Sequence, residues 1–162
     1  DLNGKVVWRT EEWTGDDKDG DGIPDQAGLR NAVAPPLRIE HHPDRDGRVW
    51  SDFHLGAVYE GPPGLVHGGV SALLLDQLLG ESGGHPRMTA TLTLSYRRAT
   101  PLGDLRGEAW IERSEEHKTW CRGHLVGPEG VTVEAEGLFI LPRWARERIA
   151  SEQPHPTPRY FE

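Results

Sequence analysis

Glu60-Gly61-Pro62-Pro63-Gly64-Leu65-Val66-His67-Gly68-Gly69 runs directly into the apolar segment 70–79, whose one acidic residue is Asp76. Val70, Ala72, Leu73, Leu74, Leu75, Leu78 and Leu79 go almost all the way round a helical wheel, so this segment reads as an enclosed helix rather than a surface one. Asp76 is then costly to bury. No Ser, Thr, Asp or Asn caps the start of the helix. Its first N–H groups, including those of Gly68 and Gly69, therefore lack an evident side-chain acceptor and are free to hold an external oxygen. A histidine and flexible glycines at the mouth of such a helix, with one carboxylate inside it, point to chemistry.

Beyond the helix, 81–86 reads as a loop. Met88, Ala90, Leu92, Leu94 and Tyr96 then alternate with Thr89, Thr91, Thr93, Ser95 and Arg97, the period of a strand. The hydroxyl-lined face suits a partner subunit, a ligand or water better than a core. Leu105, Gly107, Ala109 and Ile111 continue the pattern in the next strand. Thr119, Cys121, Gly123 and Leu125 line the one after, and Val131, Val133, Ala135, Gly137, Phe139 and Leu141 the last. Upstream, 37–42 and 48–55 read as a hairpin joined through the turn-rich 42–47, and 144–149 as a short terminal helix. The class is α+β, an antiparallel sheet wrapped around a long central helix.

Length and charge narrow the field. A chain of 162 residues is one domain by size, with enough residues for a real core. Its net charge of -8 argues against nonspecific binding to nucleic acid or to an anionic membrane. No apolar run reaches membrane-spanning length, no signal segment is evident, and the single Cys121 fits a reducing compartment, so a cytoplasmic location is expected. Residues 1–34 read as a partly ordered arm, 35–145 as the domain, and 146–162 as a tail.

GPPGLVHGG (61–69), followed by a helix carrying Asp76 nine residues after His67, resembles the PaaI-like hotdog-fold acyl-CoA thioesterases. The stretch 87–98 (RMTATLTLSYRR) with Thr100-Pro101-Leu102 is similar to that family's long strand and following turn. The likeness covers roughly residues 35–145. HGG alone is weak evidence; the order of the pieces is strong. The resemblance implies hydrolysis of an acyl-CoA bearing a small aromatic, short or medium-chain acyl group, without a cofactor, by a homodimer or dimer of dimers. It also implies that His67 orients the loop and the thioester, and that Thr89 helps place the water or the carboxylate. Some relatives carry an asparagine in the loop before the histidine; Gly61-Pro62-Pro63-Gly64 offers no side-chain amide there.

The residues support the same chemistry on their own. The Gly68 N–H, aided by the helix dipole, is the candidate for polarising a thioester carbonyl, and Asp76 is the candidate base or nucleophile. Gly69, Gly61, Thr91, Arg97 and Arg98 are candidates for substrate binding, with Thr91 an alternative to Thr89 if the register shifts. Gly68 and Asp76 are about 12 Å apart along one helix, too far for one side chain to span. An antiparallel partner helix could present its own Asp76 to the mouth, so the site is expected to be shared between subunits.

Each residue also has an ordinary explanation. A histidine before a helix is more often a cap than a catalyst, a lone buried aspartate can satisfy nearby N–H groups, and threonine suits any strand. The combined spacing and order favour function. Asp17, Asp19, Asp21 and Asp25 resemble part of a calcium loop, but position twelve is Gly28 rather than a bidentate Glu, so no metal is expected and calcium is only the minor alternative. A noncatalytic acyl-CoA binder or sensor is the second functional reading, distinguished by tight binding without release of CoA thiol. A hotdog hydratase fits less well.

Overall fold

The computed structural model describes residues 37–45, 47–84 and 86–150. The arm 1–34, with its acidic loop, and the tail from 151 lie outside the described residues. Six strands form one antiparallel sheet: β1 (Glu40–His41), β2 (Val49–Leu55), β3 (Met88–Tyr96), β4 (Gly103–Glu115), β5 (Lys118–Gly127) and β6 (Gly130–Ile140). Helix α1 (Gly68–Gly83) follows β2, and α2 (Arg143–Ala150) closes the described chain. The strand order is β1-β2-β4-β5-β6-β3. Because β2 and β3 are separated by three strands, the segment joining them has to cross the sheet, and α1 crosses it over β4 and β5.

The expected elements are present, with three differences, one being that α1 runs on through 81–83, which the sequence reading assigns to a loop. The β1–β2 hairpin forms, but β1 shrinks to two residues because 37–39 leave the ladder. The helix has 16 residues, about 24 Å, and is enclosed on one side only. Leu74, Leu75, Leu78 and Leu79 are wholly buried against the sheet, whereas Ala72, Leu73, Asp76 and Gln77 remain partly open. Burial of one such leucine contributes roughly 1.5–3 kcal/mol, so this face anchors the helix. The apolar positions on the other side are what made the segment read as enclosed all round; a single chain does not cover them.

Three glycines set how deeply α1 sits. Gly107, Gly123 and Gly137 lie on β4, β5 and β6, and a Cβ on any of them would press on Leu78 or Leu79. At Gly123 the added carbon would also lie 2.6 Å from the Glu108 carbonyl oxygen, a backbone atom that cannot swing aside. Gly123→Ala is expected to destabilise the fold by about 2 kcal/mol, the cost of overpacking, as a lower denaturation midpoint in urea. An unchanged midpoint would remove the close-packing argument.

Cys121 is buried beneath Gly83 and Phe139. Burial pushes its thiol up to about 11, with a Ser82 hydrogen bond and Arg87 acting in the opposite direction. A protonated, covered sulfur is a packing group rather than a nucleophile. Ser71 is likewise buried within α1. On the sheet face away from α1, Arg106, Arg48 and Arg113 lie over Trp50, Trp110 and Trp120 respectively. Among the described aromatic residues, Phe53, Tyr59 and Phe139 pack into or against the core.

Candidate active site

The loop before α1 is built by its own backbone. Gly61 N–H donates to the Leu65 carbonyl, Leu65 N–H to that of Pro62, and His67 N–H to that of Tyr59, each at 2.9 Å. Val66 N–H donates to Thr100 and Leu102 N–H to Gly64, tying the loop to the turn after β3. Gly64 adopts φ +77°, and its N–H is held by the Glu60 carboxylate. Gly61 has no room for a side chain, since a Cβ would lie 2.9 Å from the His67 Cα. Its N–H is already used inside the loop, so the sequence candidate Gly61 acts here as a structural glycine that lets the chain fold back on His67.

His67 occupies the N-cap of α1, and its Nδ1 accepts the Gly69 N–H at 3.0 Å. The expectation that the Gly68 and Gly69 donors are both unclaimed is therefore corrected for Gly69: imidazole does the work that Ser, Thr or Asp more often does. This contact requires Nδ1 to carry no proton. Val70 and Ser71 N–H groups bond to the His67 carbonyl. The Gly68 N–H has no acceptor among the described residues, and Gly68 is only partly buried. A donor at the positive end of a helix, beside the open side of the fold, can hold an anionic oxygen.

Asp76 lies two turns further along the helix, half-buried. Thr89 Oγ1 donates to its Oδ1 at 2.8 Å. The register explains why this threonine, and not Thr91, reaches the helix. Thr89 stands opposite Phe139 and Thr91 opposite Leu138, which leaves Ala90 as an extra residue in a β-bulge. Phe139 and Gly137 face α1, so their cross-strand partners Thr89 and Leu92 face it too, while Thr91 falls on the other side of the sheet. The sequence alternation alone groups Thr89 with Thr91; the bulge separates them.

Arg97 and Arg98 follow β3. Arg97 Nε pairs with Glu134 at 2.6 Å, and Arg98 donates to the Glu129 carbonyl at 2.7 Å. Both side chains are exposed and engaged with β6 or the turn before it, away from the helix mouth. Tyr96, which the sequence reading did not single out, lies on the helix side of β3 and donates its hydroxyl to the Gly68 carbonyl at 2.8 Å. Its only sequence signal is a place in an alternating apolar row. Among the described residues no group of three or more His, Cys, Asp or Glu side chains could hold a metal ion. No helix among them is long and apolar enough to cross a membrane.

No protein-family profile matches the chain. It is 34% identical over 91 residues to acyl-coenzyme A thioesterase THEM4 of Bos taurus, covering 54% of this chain and 38% of that protein. It is 35% identical over 96 residues to acyl-coenzyme A thioesterase THEM4 of Xenopus laevis, covering 54% and 42%. The crystal structure of a thioesterase superfamily protein superposes with a TM-score of 0.64 at 40% identity, covering 72% of this chain and 62% of that one. These likenesses support a hotdog-fold thioesterase family for the chain. It spans about two fifths of the length of the curated relatives it matches.

Proposed function

We propose that this domain hydrolyses acyl-CoA thioesters in the manner of PaaI-like enzymes, with each site assembled across a homodimer interface. The observation that carries the reading is the pairing of an oriented carboxylate, Asp76 held by Thr89 at 2.8 Å, with an unclaimed helix-mouth donor on the same helix. The Gly68 N–H polarises the thioester carbonyl and holds the oxygen as it becomes negative. Thr89 occupies Asp76 Oδ1, which leaves Oδ2 to take a proton from water, or to attack the carbonyl directly. When water attacks, its oxygen bonds to the carbonyl carbon, the C–S bond breaks, and the proton passes from the carboxyl to the departing CoA sulfur. His67 keeps the mouth in shape, and Gly69 lets the acyl group approach the backbone closely. Arg97 and Arg98, exposed at the end of β3, are assigned to the phosphates of the CoA carrier, and Thr91, on the other side of the sheet, stays the alternative to Thr89 only in a shifted register.

Distance and what one chain leaves open support the shared site. Gly68 and Asp76 stand about 12 Å apart on α1, so the two cannot serve one carbonyl in one chain. Among the described residues no strand pairs with the outer edge of β3, nine residues long and largely exposed, and the Ala72–Leu73–Asp76–Gln77 side of α1 is also uncovered. A two-fold partner adding its β3 to this edge covers both and makes α1 the central helix of a closed assembly. A dimer of such dimers fits the same edges. A cytoplasmic location belongs to this reading, since a lone buried thiol suits a reducing compartment. The acyl group is a small aromatic, short or medium chain, on CoA as in the names of the curated relatives.

The test is release of free thiol from a panel of acyl-CoA and acyl-carrier-protein substrates, with Asp76→Asn as the control. Turnover of at least one acyl-CoA that the control lacks supports the proposal. Tight, stoichiometric acyl-CoA binding without thiol release would replace it with a binding or sensing role.

A further inference from the structure

Two consecutive glycines at a helix start are the least rigid backbone a protein can place there, yet a donor that stabilises a transient oxyanion has to be aimed before the charge develops. The fold resolves this conflict at one peptide unit. The N–H of the Gly68–Gly69 peptide is held by His67 Nδ1 at 3.0 Å, and its C=O by the Tyr96 hydroxyl at 2.8 Å. A first-turn carbonyl already faces the N–H four residues ahead, so the tyrosine is not rescuing an orphan acceptor. The tyrosine also lies against Gly68 itself: a Cβ there would come within 3.3 Å of the hydroxyl oxygen. Glycine at 68 is thus matched to the ring that closes over it.

Tyr96 and Thr89 lie seven residues apart on β3, an odd number that puts two side chains on opposite faces of a regular strand. The bulge at Ala90 brings both to the helix side, where one holds Asp76 and the other holds the mouth. One edge strand therefore grips α1 at both functional points.

Building on the proposed thioesterase reading, we infer that Tyr96 is a positioning residue for the oxyanion donor: together with His67 it clamps the Gly68–Gly69 peptide and so fixes the direction of the Gly68 N–H. It touches no reacting atom. Its hydroxyl acts on turnover through the backbone, and the gain lies in the transition state rather than in substrate binding.

The experiment compares the parent chain with Tyr96→Phe, which keeps the ring and removes only the hydroxyl. With an acyl-CoA that the parent cleaves, kcat is expected to fall about threefold to tenfold, the worth of one ordinary hydrogen bond, with KM within about twofold. In NMR the Gly69 amide, held by His67, is expected to exchange faster in the variant, while the denaturation midpoint and the oligomeric state remain those of the parent. His67→Asn, whose side chain can also accept at the N-cap, is expected to retain more activity than His67→Ala. Parental kcat together with parental amide exchange in Tyr96→Phe overturns the inference, as does a change confined to KM. If the parent cleaves no thioester, the functional proposal fails by itself, and the amide exchange still decides whether the clamp exists.

Discussion

Asp76→Asn is expected to lower kcat for acyl-CoA hydrolysis by about 10²- to 10⁴-fold, the usual contribution of a positioned acid–base group. Asparagine has the same shape as aspartate, and its carbonyl oxygen can still accept the Thr89 hydroxyl that now reaches Oδ1. What it lacks is a second oxygen able to take a proton. Because Asp76 is only half-buried, the exchange leaves the leucine face of α1 untouched, and the thermal midpoint should stay close to that of the parent. Acyl-CoA affinity should persist, which separates a lost base from a lost pocket. Thr89→Ala, which frees the carboxylate without removing it, is expected to cost about tenfold. Full hydrolysis by both variants would remove Asp76 and Thr89 from the mechanism.

Co-expression of two inactive variants is expected to restore about a quarter of the parental activity per subunit. One partner is Asp76→Asn; the other is Gly68→Pro. Proline is well suited to that position, the first of α1, where its missing N–H breaks no helical bond. His67 before it already has ψ 131°, the extended backbone that a following proline demands. The substitution thus deletes the proposed oxyanion donor at little conformational cost, apart from the crowding against Tyr96. Random assembly makes about half of the dimers mixed, and each mixed dimer holds one site with both Gly68 and Asp76 intact and one with neither. Each variant alone stays inactive. A dead mixture in which differently tagged subunits demonstrably pair would show that the site is not shared, and a fully active monomer would do so without any mixing.

Much of this was readable from residue patterns. Strands β4, β5 and β6 follow their period-two alternation closely, and α2 begins and ends within a residue of its expected span. The association of His67, Gly68 and Asp76 with one helix was equally legible, because a dense leucine run after two glycines has few other ways to be buried. Four features were not legible, for separate physical reasons. The β-bulge at Ala90 comes from packing, since nothing in Thr-Ala-Thr says which residue drops out of the ladder. That His67 claims the Gly69 donor was not decided, because the residue reads both as a cap and as a group that orients the thioester. Tyr96 escaped because it is 28 residues from the carbonyl it holds, and only the crossing of α1 brings the two together. The open side of α1 reads in the sequence as one more buried face, because hydrophobicity does not say whether the cover comes from the same chain.

The seating of α1 on Gly107, Gly123 and Gly137 also decides where an acyl tail can lie. The gap between helix and sheet is filled by Leu78 and Leu79 down to van der Waals contact with the strand backbones, so it offers no tunnel. On the proposed function, an acyl tail entering at the Gly68 mouth would run along the partly open flank of α1 that carries Leu73 and Gln77. On that reading chain-length preference would be written by a few helix residues and by the proposed partner subunit, and a change of specificity would need no change in the sheet.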